Sequence, residues 1–231
     1  MKEGVPVHRS GPPHNSGVRD LVEGKRRWSS PPDLEAARLG FRGWHERGYL
    51  PHFDAPGLTQ FITFRLADSF PATLRSEWNG LLQIEDDRKR RAQLDAYLDK
   101  GRGDCPLKRP ELARMVEESF RFGHGRDYQP RAWVVMPNHI HVLIKIESTP
   151  MARIVECWKS CTARQANRVL GRQGQFWAED YWDTYMRDTT HEEQTVAYLE
   201  SNPVKVGLAP ETKAWLWSSA RLRDEYGTLR L

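Results

Sequence analysis

Two histidines one residue apart, His139 and His141, stand in the apolar string HIHVLIKI. In an extended chain, side chains at i and i+2 leave the same face. The two imidazoles would therefore project side by side, with Ile140 and Val142 pointing the other way. Neighbouring neutral imidazoles are the start of a divalent-metal site. The plain alternative is two polar residues on a solvated strand face; the apolar neighbours count against it, since an unpaired buried imidazole is costly. A second pair, Tyr198 and Asn202, is spaced to share one face of a helix in VAYLESNPV. A phenol oxygen can attack phosphorus once it is deprotonated or set against a metal-polarised phosphate, and the carboxamide oxygen could be a third metal ligand. Both residues also have ordinary readings, Tyr198 as a core aromatic and Asn202 as a helix-terminal residue before Pro203. A third feature is basic: Arg164, Arg168 and Arg172 recur at i, i+4 and i+8, and with Arg153 and Lys159 they outweigh Glu156. Such a row suits phosphates, or simply solvates a helix. Trp158, Trp177 and Trp182 offer rings for base stacking or for core packing. The run Arg88, Lys89, Arg90, Arg91 follows Glu85, Asp86 and Asp87 and reads as a solvated mixed-charge segment.

Other chemistries fail on the residues. The chain has no Walker loop, GxGxxG, HExxH or GxSxG pattern. A histidine-triad hydrolase would continue the alternation with a third histidine, and Leu143 stands there instead. The 231 residues make room for one domain, or one domain with insertions. Nine Trp, eight Phe and seven Tyr suffice for a core although 29% of residues are charged. Apolar runs such as AWVVM and HVLI are too short for a bilayer, and the first residues lack the apolar stretch of a secretory signal. Cys105, Cys157 and Cys161 cannot all pair and lack zinc spacing, so a reducing cytoplasm is expected. The net charge of +4 hints mildly at an anionic partner.

These side chains need elements to hold them. Met1 to Pro32 reads as a tail or extended arm, DLEAARLGF as a short helix and GYLPHFDAPG as a loop. LTQFITFRLADS alternates as a strand, with Thr59, Phe61, Thr63 and Arg65 on one side. One helical stretch is expected over residues 71–100 and a second over 107–125. RAWVVM and HIHVLIKI around PN form a hairpin. A long helix from about Met151 to Leu170, an extended aromatic piece and a helix ending at Pro203 with a threonine cap follow. The aromatic tail WLWSSARL packs on the body. The class is α+β, an antiparallel sheet with flanking helices gathered on one face.

RAWVVMPNHIHVLIKI resembles the metal-binding hairpin of HUH-superfamily single-tyrosine transposases, the IS200-like group. FWAEDYWDTYMRDTTHEEQTVAYLESNPVKVGL and WLWSSA resemble the later signatures of REP-associated tyrosine transposases. The resemblance runs from about Gly48 to Ala220. It implies a ferredoxin- or RRM-like sheet of four or five strands, with an N-terminal arm over residues 1–45 and the transposase domain over 46–231, carrying a helical insertion near 72–125. It also implies metal-dependent cleavage and joining of single-stranded DNA, at or beside hairpins resembling repetitive extragenic palindromes, through a 5′-phosphotyrosine. His139, His141 and Asn202 would hold Mg²⁺ or Mn²⁺, and Tyr198 would be the nucleophile, with Tyr185 as the fallback. Lys159, Arg164, Arg168, Arg172 and Trp158 are the expected DNA contacts. The implied bearer is a bacterial, cytoplasmic, nucleoid-associated monomer or weak dimer. A non-catalytic hairpin-binding protein on the same scaffold is the rival reading, and a metal-dependent nucleotide hydrolase is a third. No base for the phenol is evident in the sequence.

Overall fold

The computed structural model describes residues 18–22, 25–29, 31–46, 51–70, 75–84 and 86–231. Residues 1–17 of the expected arm lie outside the described residues. Two antiparallel ribbons come first: β1 (Val18–Val22) with β2 (Lys25–Ser29), and β3 (Gly43–Glu46) with β4 (Pro51–Asp54). Between them lies α1 (Leu34–Arg38), capped by the Asp33 side chain. The segment expected to be a loop around Pro51 is thus a strand, held by pairing with β3.

The central sheet is built from β5 (Thr59–Arg65), β6 (Tyr128–Val135), β7 (His139–Ile146) and β8 (Trp182–Tyr185), in the order β6-β7-β5-β8, all antiparallel. The intervening helices are α2 (Arg75–Leu82), α3 (Asp87–Leu98) and α4 (Pro110–Ser119) after β5, and α5 (Met151–Val169) after β7. A β–α–β–β–α–β path with that strand order is the split βαβ, ferredoxin-like arrangement. A further helix, α6 (Thr189–Lys205), follows β8.

The alternation of side chains sorts the two faces. Ile62, Phe64, Trp133, Val135, Ile140, Val142 and Ile144 point to one side, into the main core with Leu112 and Val116 of α4 and Ile154, Val155 and Trp158 of α5. Phe61, Ala132, Val134 and Leu143 point to the other, where Leu199 of α6 packs on them. Helices therefore cover both faces, not one: both sides of the central strands are apolar except near the histidines, and each needs a partner. A small third cluster joins Leu81 of α2, Leu94 and Leu98 of α3, and Trp182.

Three local expectations change. The stretch over 71–100 is two helices, parted by a turn at Gln83 and Ile84, where backbone bonds close back to Gly80 and Leu81. The cap of α6 is Asp188, whose carboxylate accepts from His191 N, rather than a threonine. The same helix runs through Pro203 to Lys205, because a proline in the last turn removes one hydrogen bond without meeting a continuing ladder. The aromatic tail does pack on the body: Trp217 O accepts from Val135 N at 2.8 Å, and Trp215 Nε1 donates to Val135 O at 3.0 Å.

Candidate metal and nucleophile site

The register of β5 against β7 sets Thr63 opposite His141 and Arg65 opposite His139. The two imidazoles stand side by side on the α6 face, ring centroids 4.7 Å apart. Each ring is held at Nδ1. His139 Nδ1 meets Asn138 Oδ1 at 2.7 Å, and His141 Nδ1 meets Thr63 Oγ1 at 2.8 Å. The Asn138 amide is oriented in turn, because its Nδ2 donates to Leu98 O at 3.2 Å and Arg102 O at 3.0 Å. Its oxygen can then only accept, so His139 carries its proton on Nδ1 and leaves the Nε2 lone pair bare. Thr63 can fix the same tautomer in His141. Both Nε2 atoms are buried without a hydrogen-bond partner. Burial and the neighbouring His141 push the His139 pKa far down, and burial with Arg91 and Lys205 pushes that of His141 to about 3. Both rings are neutral near pH 7, the form that binds metal.

α6 brings its pair to this face. The Tyr198 ring lies 6.1 Å from the His141 ring and edge-on to Phe61 at 6.3 Å. Asn202, one turn on, has both carboxamide atoms buried and unpartnered. His139, His141 and Asn202 are each 0% exposed. Buried polar atoms are nearly always paired, so unpaired ones on one face need an explanation. A divalent ion supplies one: two imidazole nitrogens and a carboxamide oxygen are a donor set that fits it. Among the described residues no three His, Cys, Asp or Glu side chains form a site alone.

Over the site lies α3. Tyr198 donates its hydroxyl to Asp95 Oδ2 at 2.6 Å, and Lys205 bonds Asp99 at 3.1 Å. Asp95 Oδ1 stands 4.0 Å from His141 Nε2, too far from a neutral ring to count as an ion pair. Burial, then the Asp95 carboxylate, raise the phenol pKa well above its ordinary range. Burial likewise raises that of Asp95. Tyr198 itself is half-buried, at the edge of this cover.

With that geometry in view, residues 120–202 match the family model described as Transposase IS200 like. A protein of Haemophilus influenzae assigned as a REP-associated tyrosine transposase is 26% identical over 103 residues, 40% of this chain. The chain spans 58% of that relative's length. Among solved structures, a REP-associated tyrosine transposase bound to a REP hairpin is similar at a TM-score of 0.45 and 18% identity, over 77% of this chain and 82% of that one. An assigned transposase from Deinococcus radiodurans is similar at a TM-score of 0.30 and 15% identity, over 68% of this chain and 95% of that one.

The matched stretch contains His139, His141, Tyr198 and Asn202. Thr63 and Asp95 come from outside it, and sequence reading gave neither a role. Thr63 was visible only as a residue on one side of an alternating strand, and Asp95 as one acid in a charged helix. The fallback Tyr185 is elsewhere: opposite Gln60 on the other face, it packs against Phe53 at 5.4 Å and Trp44 at 6.4 Å.

The expected DNA contacts also part company with the site. α5 packs on the opposite sheet face, so Lys159, Arg164, Arg168 and Arg172 do not converge with the imidazoles. Arg164 and Arg168 are exposed there. Lys159 donates to Glu179 O at 2.6 Å, and Arg172 to Asn167 Oδ1 at 3.2 Å. Trp158 is 3% exposed and donates Nε1 to the Tyr128 hydroxyl at 2.9 Å, so it cannot stack on a base. Trp177 and Trp182 are buried as well. Cations beside the site include Arg65, opposite His139, Arg91, over the Phe61 ring at 4.5 Å, and Lys205, 5.8 Å from the centre of the Tyr198 ring.

Proposed function

We propose that this protein is a divalent-metal-dependent transposase of the REP-associated single-tyrosine type. It cleaves and rejoins single-stranded DNA at or beside a repeat hairpin, in the bacterial cytoplasm. The carrying observation is the shared position, on one sheet face, of two unpartnered imidazole nitrogens and the Tyr198 phenol. The family match over residues 120–202 and the similarity to a REP-associated tyrosine transposase support it.

Mg²⁺ or Mn²⁺, held by His139, His141 and Asn202, would neutralise charge developing on the phosphate oxygens. The chain's own residues do the rest. Asn138 and Thr63 keep both Nε2 lone pairs turned to the site. Phe61 holds the Tyr198 ring on edge. The phenol oxygen attacks phosphorus in line, the bond from phosphorus to the 3′ oxygen breaks, and a 5′-phosphotyrosine remains. A free 3′-hydroxyl reverses the step and joins the strand to a new end. The ligand atoms are buried, so a phosphate reaches them only when the cover of the site shifts.

The test is a hairpin oligonucleotide with a single-stranded flank, incubated with the full chain and Mn²⁺. A denaturant-resistant protein–DNA adduct is expected, abolished in Tyr198→Phe and kept in Tyr185→Phe. An adduct that survives Tyr198→Phe ends the assignment. Hairpin binding without any adduct in the wild type selects the non-catalytic reading.

A further inference from the structure

We propose that Asp95, on the helix covering the site, is a catalytic residue that takes the proton from the Tyr198 phenol; this rests on the transposase reading above. A phenol that attacks phosphorus must shed its proton, and the acceptor has to lie within hydrogen-bond reach of that oxygen. Asp95 Oδ2 does, at 2.6 Å, the short length of a hydroxyl bonded to a carboxylate. The neighbouring groups cannot serve. The imidazoles are committed to the ion through Nε2 and to Asn138 and Thr63 through Nδ1, while Lys205 and Arg91 are cations.

Asp95 is placed firmly. Leu94 and Leu98 on either side of it are buried against Trp182, and Asp99 one turn on is tied to Lys205 at 3.1 Å. Its second oxygen, Oδ1, has no hydrogen-bond partner although the residue is 4% exposed. A buried carboxylate with one oxygen on the nucleophile and the other without a hydrogen-bond partner, 4.0 Å from His141 Nε2, is turned to the site.

The step balances with water as the proton donor to the leaving oxygen. The phenol O–H bond breaks and its proton passes to Asp95. The bond from the Tyr198 oxygen to phosphorus forms as the bond to the 3′ oxygen breaks. The departing oxygen takes a proton from water, giving a 3′-hydroxyl. In joining, that hydroxyl gives its proton back to water as its oxygen attacks phosphorus, the bond from phosphorus to the Tyr198 oxygen breaks, and Asp95 returns its proton to the phenolate.

The experiment measures single-turnover adduct formation with Mn²⁺ and the hairpin oligonucleotide, alongside hairpin affinity. Asp95→Asn should slow the adduct by about 10²–10⁴-fold, the usual worth of a positioned base, with affinity kept within about threefold by the same reasoning. Asp95→Glu should recover part of the rate, and formate should restore Asp95→Ala, a rescue that a packing role would not show. Asp95→Asn at the wild-type rate or faster overturns the proposal, and so does Asp95→Ala that formate leaves unchanged. If Tyr198→Phe keeps the adduct, or the wild type never forms one, the underlying transposase reading has failed instead, and this inference falls with it.

Discussion

Replacing Asn202 by leucine should stabilise the metal-free protein while destroying its response to metal. The Asn202 carboxamide is fully buried, and neither its oxygen nor its nitrogen has a partner. Each unsatisfied buried group costs about 1–3 kcal/mol, and an apolar group of similar shape removes that penalty. Leucine is not a perfect isostere, and the two imidazole Nε2 atoms stay unpaired. A net gain of about 1–3 kcal/mol is therefore expected. At about 2–4 °C per kcal/mol for a chain of this length, that is a rise in Tm of roughly 2–12 °C in EDTA. The wild type should respond to Mn²⁺ by mass action, gaining about 2.7 kcal/mol at a hundred times Kd. Asn202→Leu should gain almost none of it. Urea titrations with and without Mn²⁺ measure both quantities. A variant less stable than the wild type in EDTA, or one that still responds fully to Mn²⁺, would refute the reasoning: the carboxamide would then be structural.

Other consequences can be checked separately. Asn138→Ala and Thr63→Val remove the bonds that orient the imidazoles, and each should weaken Mn²⁺ binding by about 10–100-fold in calorimetry. Trp158→Ala should cost about 3–5 kcal/mol of stability in urea titration, and a variant that refolds should bind the hairpin with unchanged affinity, since the indole is packed inside the sheet's far layer. His52 is buried between Asp180 and Asp183; burial lowers its pKa, but the two carboxylates more than reverse this and bring it to about 9. A raised histidine stabilises fully below its unfolded value of about 6.5 and loses that contribution as pH climbs toward about 9. Stability should fall across that window, and His52→Gln should flatten the slope.

Much of the sheet was legible because alternation is a strong signal where one strand face differs from the other. The HIHVLIKI run fell at His139–Ile146, and the β5 alternation correctly grouped Phe61, Thr63 and Arg65 on one side. The pairing of Tyr198 with Asn202 followed from helical spacing alone. The second helical layer was less visible. Leu143 and Phe61 look like either a solvated or a buried face until Leu199 of α6 is seen packed on them. The direction of the α5 cations could not be read either, because a helix face has no absolute bearing in sequence and only the core contacts of Ile154, Val155 and Trp158 set it. Asp95 was hidden for a related reason. Its partner Tyr198 is 103 residues away, and no local spacing encodes a bond across that distance.

Asn138 joins two things that the sequence keeps apart. One end of its amide steadies the ring of His139, and the other grips the chain where α3 gives way to the following turn, at Leu98 and Arg102. A covering helix held there cannot shift at its C-terminal end without loosening the ring of His139. The seating of α3 and the bearing of one imidazole thus hang on a single side chain.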